Sequence, residues 1–214
     1  MATLDEIYAT MPEAPAGLPS PDGLSRHKLT VRDVWRMVDA GVLAEDDRVE
    51  LWEGQLVAMS SKLDRHEWVK NALISVLNVR LYRRFTIAVE SSLFLSDHTF
   101  VEPDIAVIDR GRRTTSVRGP EIHLAIEVGD STFRTDLNAK APLYALHGAP
   151  LLWVVDARET GGLVTHVHRQ SKDGAWVEVE PCGPDIPLTL PFAPDVSFTL
   201  NEVLFEADDV APAS

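Results

Sequence analysis

Apolar positions along the chain follow two spacings, and the switches between them predict the elements. At Thr30, "TVRD" has the spacing of a capping box. Val31, Val34, Trp35 and Val38 then share one helix face until Gly41 stops it. From about Asp64 to Arg84 a second helix is expected, with Val69, Leu73, Leu77 and Leu81 as its stripe and Ala72 and Val76 beside them. A third helix is expected from Thr135 to His147, closed by Gly148. Between these lie short apolar runs: "RVELWEGQLVAM" reads as two strands around Glu53-Gly54, and "TIAVESSLFL", "PDIAVID", "HLAIEV" and "LLWVVD" read as strands. "LVTHVHRQ" and "AWVEVE", joined by "SKDG", make a further hairpin, and "VSFTLNEVLF" a strand end with a short helix. Strands interleaved with helices predict one α/β (α+β) domain with a mixed sheet, over residues 27–206. An N-terminal arm rich in Pro, Ala and Gly (1–26) and a C-terminal tail (207–214) flank it.

Composition narrows the function classes. Of 214 residues 45% are hydrophobic, enough for a substantial core. The formal net charge of −13 argues against a chain that coats nucleic acid non-specifically, since that needs clustered Lys and Arg. It leaves open a nuclease whose carboxylates hold metal ions. Cys182 is the single cysteine, so no internal disulfide or Cys-based metal site is expected. The acidic, Pro-rich start lacks the pattern of a signal peptide, and no apolar run approaches a membrane span; a cytoplasmic protein is expected.

One strand poses a chemical question. "HLAIEV" carries Glu127 near the end of an otherwise apolar run. An ionised carboxylate taken out of water costs several kcal/mol unless a partner compensates. A second carboxylate, Asp104, opens the run "IAVI". If the two strands are neighbours, both acids converge, and a divalent cation such as Mg²⁺ relieves their repulsion. Lys140, on the helix after Glu127, can point back at the same place to orient a water or stabilise a phosphate in transfer. Asp, Glu, Lys and a hard metal form a set that cleaves phosphodiesters. Taken alone, Lys140 reads better as a solvated helix lysine.

With these residues in place, "VEPDIAVID" and "LAIEVGDSTFRTDLNAKAPLYALHGAPLLWVVD" resemble the Uma-type family of restriction-endonuclease-like proteins, within the PD-(D/E)xK nuclease superfamily. "HKLTVRDVWRMVDAGVLAEDDRVELWEGQLVAMS", followed by His66, is similar to that family's entry region, so the likeness spans roughly residues 26 to 206. The resemblance implies a restriction-endonuclease-like core, a mixed sheet flanked by helices with extra hairpins, and a nuclease site using Mg²⁺, with Mn²⁺ as substitute, on DNA. It makes Asp104 the motif aspartate and Glu127 the motif glutamate, both metal ligands. The superfamily's usual lysine would stand two residues after the glutamate, where this chain has Gly129. The family's pattern has a lysine on the following helix, and Lys140 matches it. Glu50 matches an acid that often completes such sites, and His66 a recurrent histidine. Read without the family, Glu50 could face solvent by strand alternation and His66 could cap or pack its helix. Arg134 and Asp136 read as a surface pair, with Asp136 alternatively orienting the lysine, and His166 and His168 as exposed hairpin residues. The Trp residues read as core or interface. Cleavage of both strands makes a homodimer the default assembly. The competing expectation is a nuclease-fold binding or regulatory module with a weak or idle metal site.

Overall fold

Thr30 caps the first helix as its sequence predicts. In the computed structural model, Asp33 donates its backbone N–H to the Thr30 hydroxyl at 3.1 Å, and the Asp33 carboxylate accepts the Thr30 N–H at 2.9 Å. The structure describes residues 27–44, 46–60, 62–158 and 163–208, so the arm and residues 209–214 of the tail lie outside it. In chain order the elements begin with α1 (Val31–Asp39), β1 (Val49–Trp52), β2 (Gln55–Ala58) and α2 (Asp64–Leu81). Four strands follow: β3 (Phe85–Val89), β4 (Leu93–Ser96), β5 (Thr99–Val101) and β6 (Ile105–Asp109). β7 (Ile122–Gly129) leads into helix α3, built from Phe133–Thr135, a π-helical Asp136–Lys140 and Ala141–Leu146. The chain ends in β8 (Leu151–Asp156), β9 (Val164–Lys172), β10 (Ala175–Cys182), β11 (Leu188–Thr189), β12 (Ser197–Phe198) and α4 (Leu200–Asp208).

Chain contacts divide these elements into two compact units. One holds the described residues up to Ser60 with Ser92–Glu102 and Arg113–Arg118. Its sheet runs β2-β1-β5-β4, and Val31 and Val34 of α1 pack with Leu51, Phe94 and Phe100. The β1–β2 hairpin turns on Glu53 and Gly54 at φ 49° and 84°, the left-handed pair a two-residue turn requires.

The other unit carries a six-stranded sheet, β10-β9-β8-β7-β6-β3, in which β7 and β8 are parallel and the remaining neighbours antiparallel. The parallel pair is joined through α3, a β-α-β crossover. On one sheet face, Val69, Leu73, Leu77 and Leu81 of α2 and Leu200, Val203 and Leu204 of α4 pack on Ile105, Val107, Leu124, Ile126 and Trp153. Alternation along β7 turns Ala125 and Glu127 to the other face, where α3 lies.

Four departures from the sequence reading have physical causes. "TIAVESSLFL" is two strands in two different sheets, because the chain turns at Glu90 with φ 45°. The helix expected from Thr135 starts at Phe133 and widens into a π segment. Asp136 is buried and accepts a hydrogen bond from the Thr132 hydroxyl at 2.8 Å, so it does not lie at the surface. His168 is likewise buried, its ring tilted against that of Trp176 with 5.5 Å between centroids.

Candidate active site

Strand β6 begins at Ile105, which pairs with Ile126 of β7. Asp104 stands one step before it, on the register that continues toward Glu127. Pro103 has no N–H to extend the ladder. The Asp104 side chain fills that gap: its Oδ2 accepts the N–H of Val128, the residue after Glu127, at 2.7 Å. The same oxygen lies 3.0 Å from His66 Nε2, in the first turn of α2, and Oδ1 accepts from Lys62 Nζ at 2.8 Å. Asp104 is 4% exposed. Burial pushes its carboxyl up, but the His66 hydrogen bond and charge and the Lys62 ammonium outweigh it and hold the group at about 2. A depressed carboxyl contributes stability that is present above its ordinary value near 4 and lost as pH falls through about 2. The metal-free protein should therefore lose about 2 kcal/mol from this group between pH 4 and 2. Urea unfolding across that window measures it, and Asp104→Asn should flatten the slope.

Glu127 answers the question its strand raised. It is 2% exposed, and its Oε2 accepts from Lys140 Nζ at 3.1 Å while its Oε1 accepts from the Tyr144 hydroxyl at 2.9 Å. Both partners project from α3, which the crossover lays over this face. Lys140 is buried as well, so the bland reading of a solvated helix lysine does not hold. It closes the π segment, a form in which one wider turn re-aims the side chains that follow, often at functional sites.

Gly129, two residues after Glu127, has no room for a side chain. A Cβ built on Gly129 would stand 2.4 Å from the Phe133 Cα and 2.8 Å from its nitrogen. The first turn of α3 thus closes the position two residues after the glutamate to any side chain, and the ammonium that meets Glu127 is that of Lys140. Gly129→Ala should cost about 3 kcal/mol or more, since backbone must move to admit the methyl. Thermal melting checks this, and a variant as stable as the parent would contradict the close packing.

Around Asp104 lies a network that the sequence reading did not single out. Glu90 pairs with both Lys62 and Lys70, and Lys70 also donates to Glu67 at 2.8 Å. Burial raises the Glu90 carboxyl, but hydrogen bonds from Lys62 and Lys70 bring it down to about 2. No local pattern marks Glu90 or Lys62, because the sheet and the start of α2 bring them together from 28 residues apart. Glu50 belongs to the four-stranded unit. It is buried on β1, where its carboxylate accepts the Glu102 N–H and the Trp52 indole N–H, each at 2.8 Å. Glu50 is therefore hydrogen-bonded to residues of its own unit and does not face solvent. Among the described residues, no three His, Cys, Asp or Glu side chains gather closely enough to hold a metal ion.

The six-stranded mixed sheet with its flanking helices and buried acids defines a class. The chain is similar to a crystal structure described as a putative nuclease belonging to DUF820, from Anabaena variabilis. The two share 17% identity and a TM-score of 0.64, over 83% of this chain and 98% of that one. The fold is the restriction-endonuclease-like fold. A family model, Uma2, described as "putative restriction endonuclease", matches residues 37–204. The chain belongs to the Uma2 family. No curated protein matches it. Among the described residues, no helix is long and apolar enough to cross a membrane.

Proposed function

We propose that the protein is a Mg²⁺-dependent endonuclease that hydrolyses DNA phosphodiester bonds, with Asp104, Glu127 and Lys140 as its catalytic set. The observation that carries this reading is the junction at the end of β7. The Asp104 carboxylate grips the N–H beside Glu127, and Glu127 itself is gripped by Lys140. Family membership supports a nuclease; the metal and the DNA substrate are this reading's own steps.

The donor chemistry fits a hard cation. Mg²⁺ takes one or two carboxylates and completes its shell with water, and Asp104 and Glu127 are two buried carboxylates at adjacent strand ends. They would hold the ion, which when bound polarises a phosphate oxygen and lowers the pKa of a water. The protein's residues do the rest. Tyr144 fixes the Glu127 carboxylate, His66 and the Val128 N–H fix that of Asp104, and each acid is thus oriented before substrate arrives. Lys140 holds an ammonium within 3.1 Å of a Glu127 oxygen, where it can orient the attacking water or meet charge developing on the phosphate. A two-fold homodimer would present one such site to each strand.

The second reading is a nuclease-fold binding module. It draws on the net charge of −13 and on lysines that already compensate both acids. Supercoiled plasmid incubated with purified protein separates the two: nicking with Mg²⁺ or Mn²⁺, and none with EDTA, is expected of the enzyme. Intact plasmid under both conditions, beside measurable DNA retention, would support the binding module.

A further inference from the structure

The ion pairs around Asp104 have a direction. Lys62, on the segment leading into α2, bridges Asp104 Oδ1, at 2.8 Å, and the Glu90 carboxylate. Glu90 also binds Lys70, which pairs with Glu67. The Lys62 and Lys70 side chains are 15% and 5% exposed, while those of Glu90 and Glu67 are 38% and 42% exposed, so the ammonium groups are sheltered and the outer carboxylates reach solvent. Three carboxylates face two ammonium groups and the His66 imidazole, so the cluster carries at most one net negative charge. A divalent ion would make it positive, the complement of a phosphodiester.

The two oxygens of Asp104 differ in what holds them. Oδ2 is tied to a strand N–H and to a histidine on the first turn of a helix, both parts of the framework. Oδ1 is tied to Lys62, a long side chain with four rotatable bonds that can leave without moving backbone. Oδ1 is therefore the oxygen that an incoming cation can take. Glu90, already in contact with Lys62, is placed to keep the ammonium once it lets go.

We propose that Lys62 is a resident counter-ion that competes with a divalent cation for Asp104, with Glu90 receiving the displaced ammonium. This rests on the reading of Asp104 as a metal ligand. Lys62 is then a residue that sets metal affinity. Occupancy of Asp104 by either cation weakens the other by the same factor.

The test is calorimetric Mn²⁺ titration of metal-free protein, with circular dichroism melting to verify that each variant is folded. Lys62→Gln and Lys62→Met should bind Mn²⁺ about tenfold more tightly than the parent. Lys62→Arg keeps the charge and should bind no more tightly than the parent. Lys70→Gln removes an equal charge that touches Glu90 but is not paired with Asp104, and should change affinity by less than about threefold. Parent-like or weaker binding in both uncharged Lys62 variants, with binding lost in Asp104→Asn, would overturn the competition while leaving the metal site standing. Equal tightening in Lys70→Gln would also overturn it, since general electrostatics would then suffice. No Mn²⁺ binding to the parent or to the Lys62 variants would remove the metal-site reading and this inference with it.

Discussion

Asp104→Asn should reduce metal-dependent cleavage by roughly 10²–10³-fold or more, the scale on which losing one electrostatic partner of a phosphoryl-type transition state is felt. The substitution keeps shape and removes the charge that a hard cation needs, so Mn²⁺ binding falls with the rate. Repulsion from Glu127 alone would make the metal-free variant more stable. The partners on Asp104 argue the opposite. Lys62 and His66 compensate its charge, and an amide offers a single acceptor oxygen to the three donors the carboxylate now serves. Metal-free stability at pH 7 should drop by about 2 kcal/mol, with the fold retained. Denaturant melts and Mn²⁺ calorimetry on one preparation check both halves. A stable variant with undiminished cleavage would place the chemistry elsewhere.

Lys140→Ala should slow the chemical step by about 10²-fold while Mn²⁺ still binds, because the ammonium acts on water and phosphate and is not a metal ligand. Its removal leaves the buried Glu127 with Tyr144 and without the ammonium that lies 3.1 Å from its Oε2. Breaking a buried pair is costly, about 3 kcal/mol here, and a bound divalent ion should recover part of that loss. Single-turnover cleavage at saturating Mn²⁺, set beside melts with and without the ion, separates the two effects. Parent-like cleavage would return Lys140 to the role of a structural counter-ion.

Much of this was legible along the chain because it is written in local chemistry. The capping box at Thr30, the Glu53-Gly54 hairpin and the apolar stripe of α2 each need neighbours within a few residues. Asp104 and Glu127 were legible because a carboxylate at the end of an apolar strand is an expense that asks for a reason. What was hidden depends on tertiary geometry. Nothing in "TIAVESSLFL" announces that Glu90 turns the chain from one sheet into another. Lys62 and Glu90 acquire their roles when α2 and β3 meet around Asp104. Gly129 looked like a departure from a lysine motif. Its reason is the backbone of Phe133 lying where a side chain would go. The π segment that delivers Lys140 has no sequence period of its own and was absorbed into an ordinary helix.

We propose one metal-dependent nuclease site, built from the strand ends carrying Asp104 and Glu127. Its most direct test is nicking of supercoiled plasmid by parent, Asp104→Asn and Glu127→Gln proteins, purified in parallel and assayed with Mg²⁺, Mn²⁺ and EDTA. The account predicts nicking by the parent with either metal, none with EDTA, and a loss of at least about 10²-fold in both variants. Equal nicking by all three proteins, or a parent inert with both metals, would contradict it.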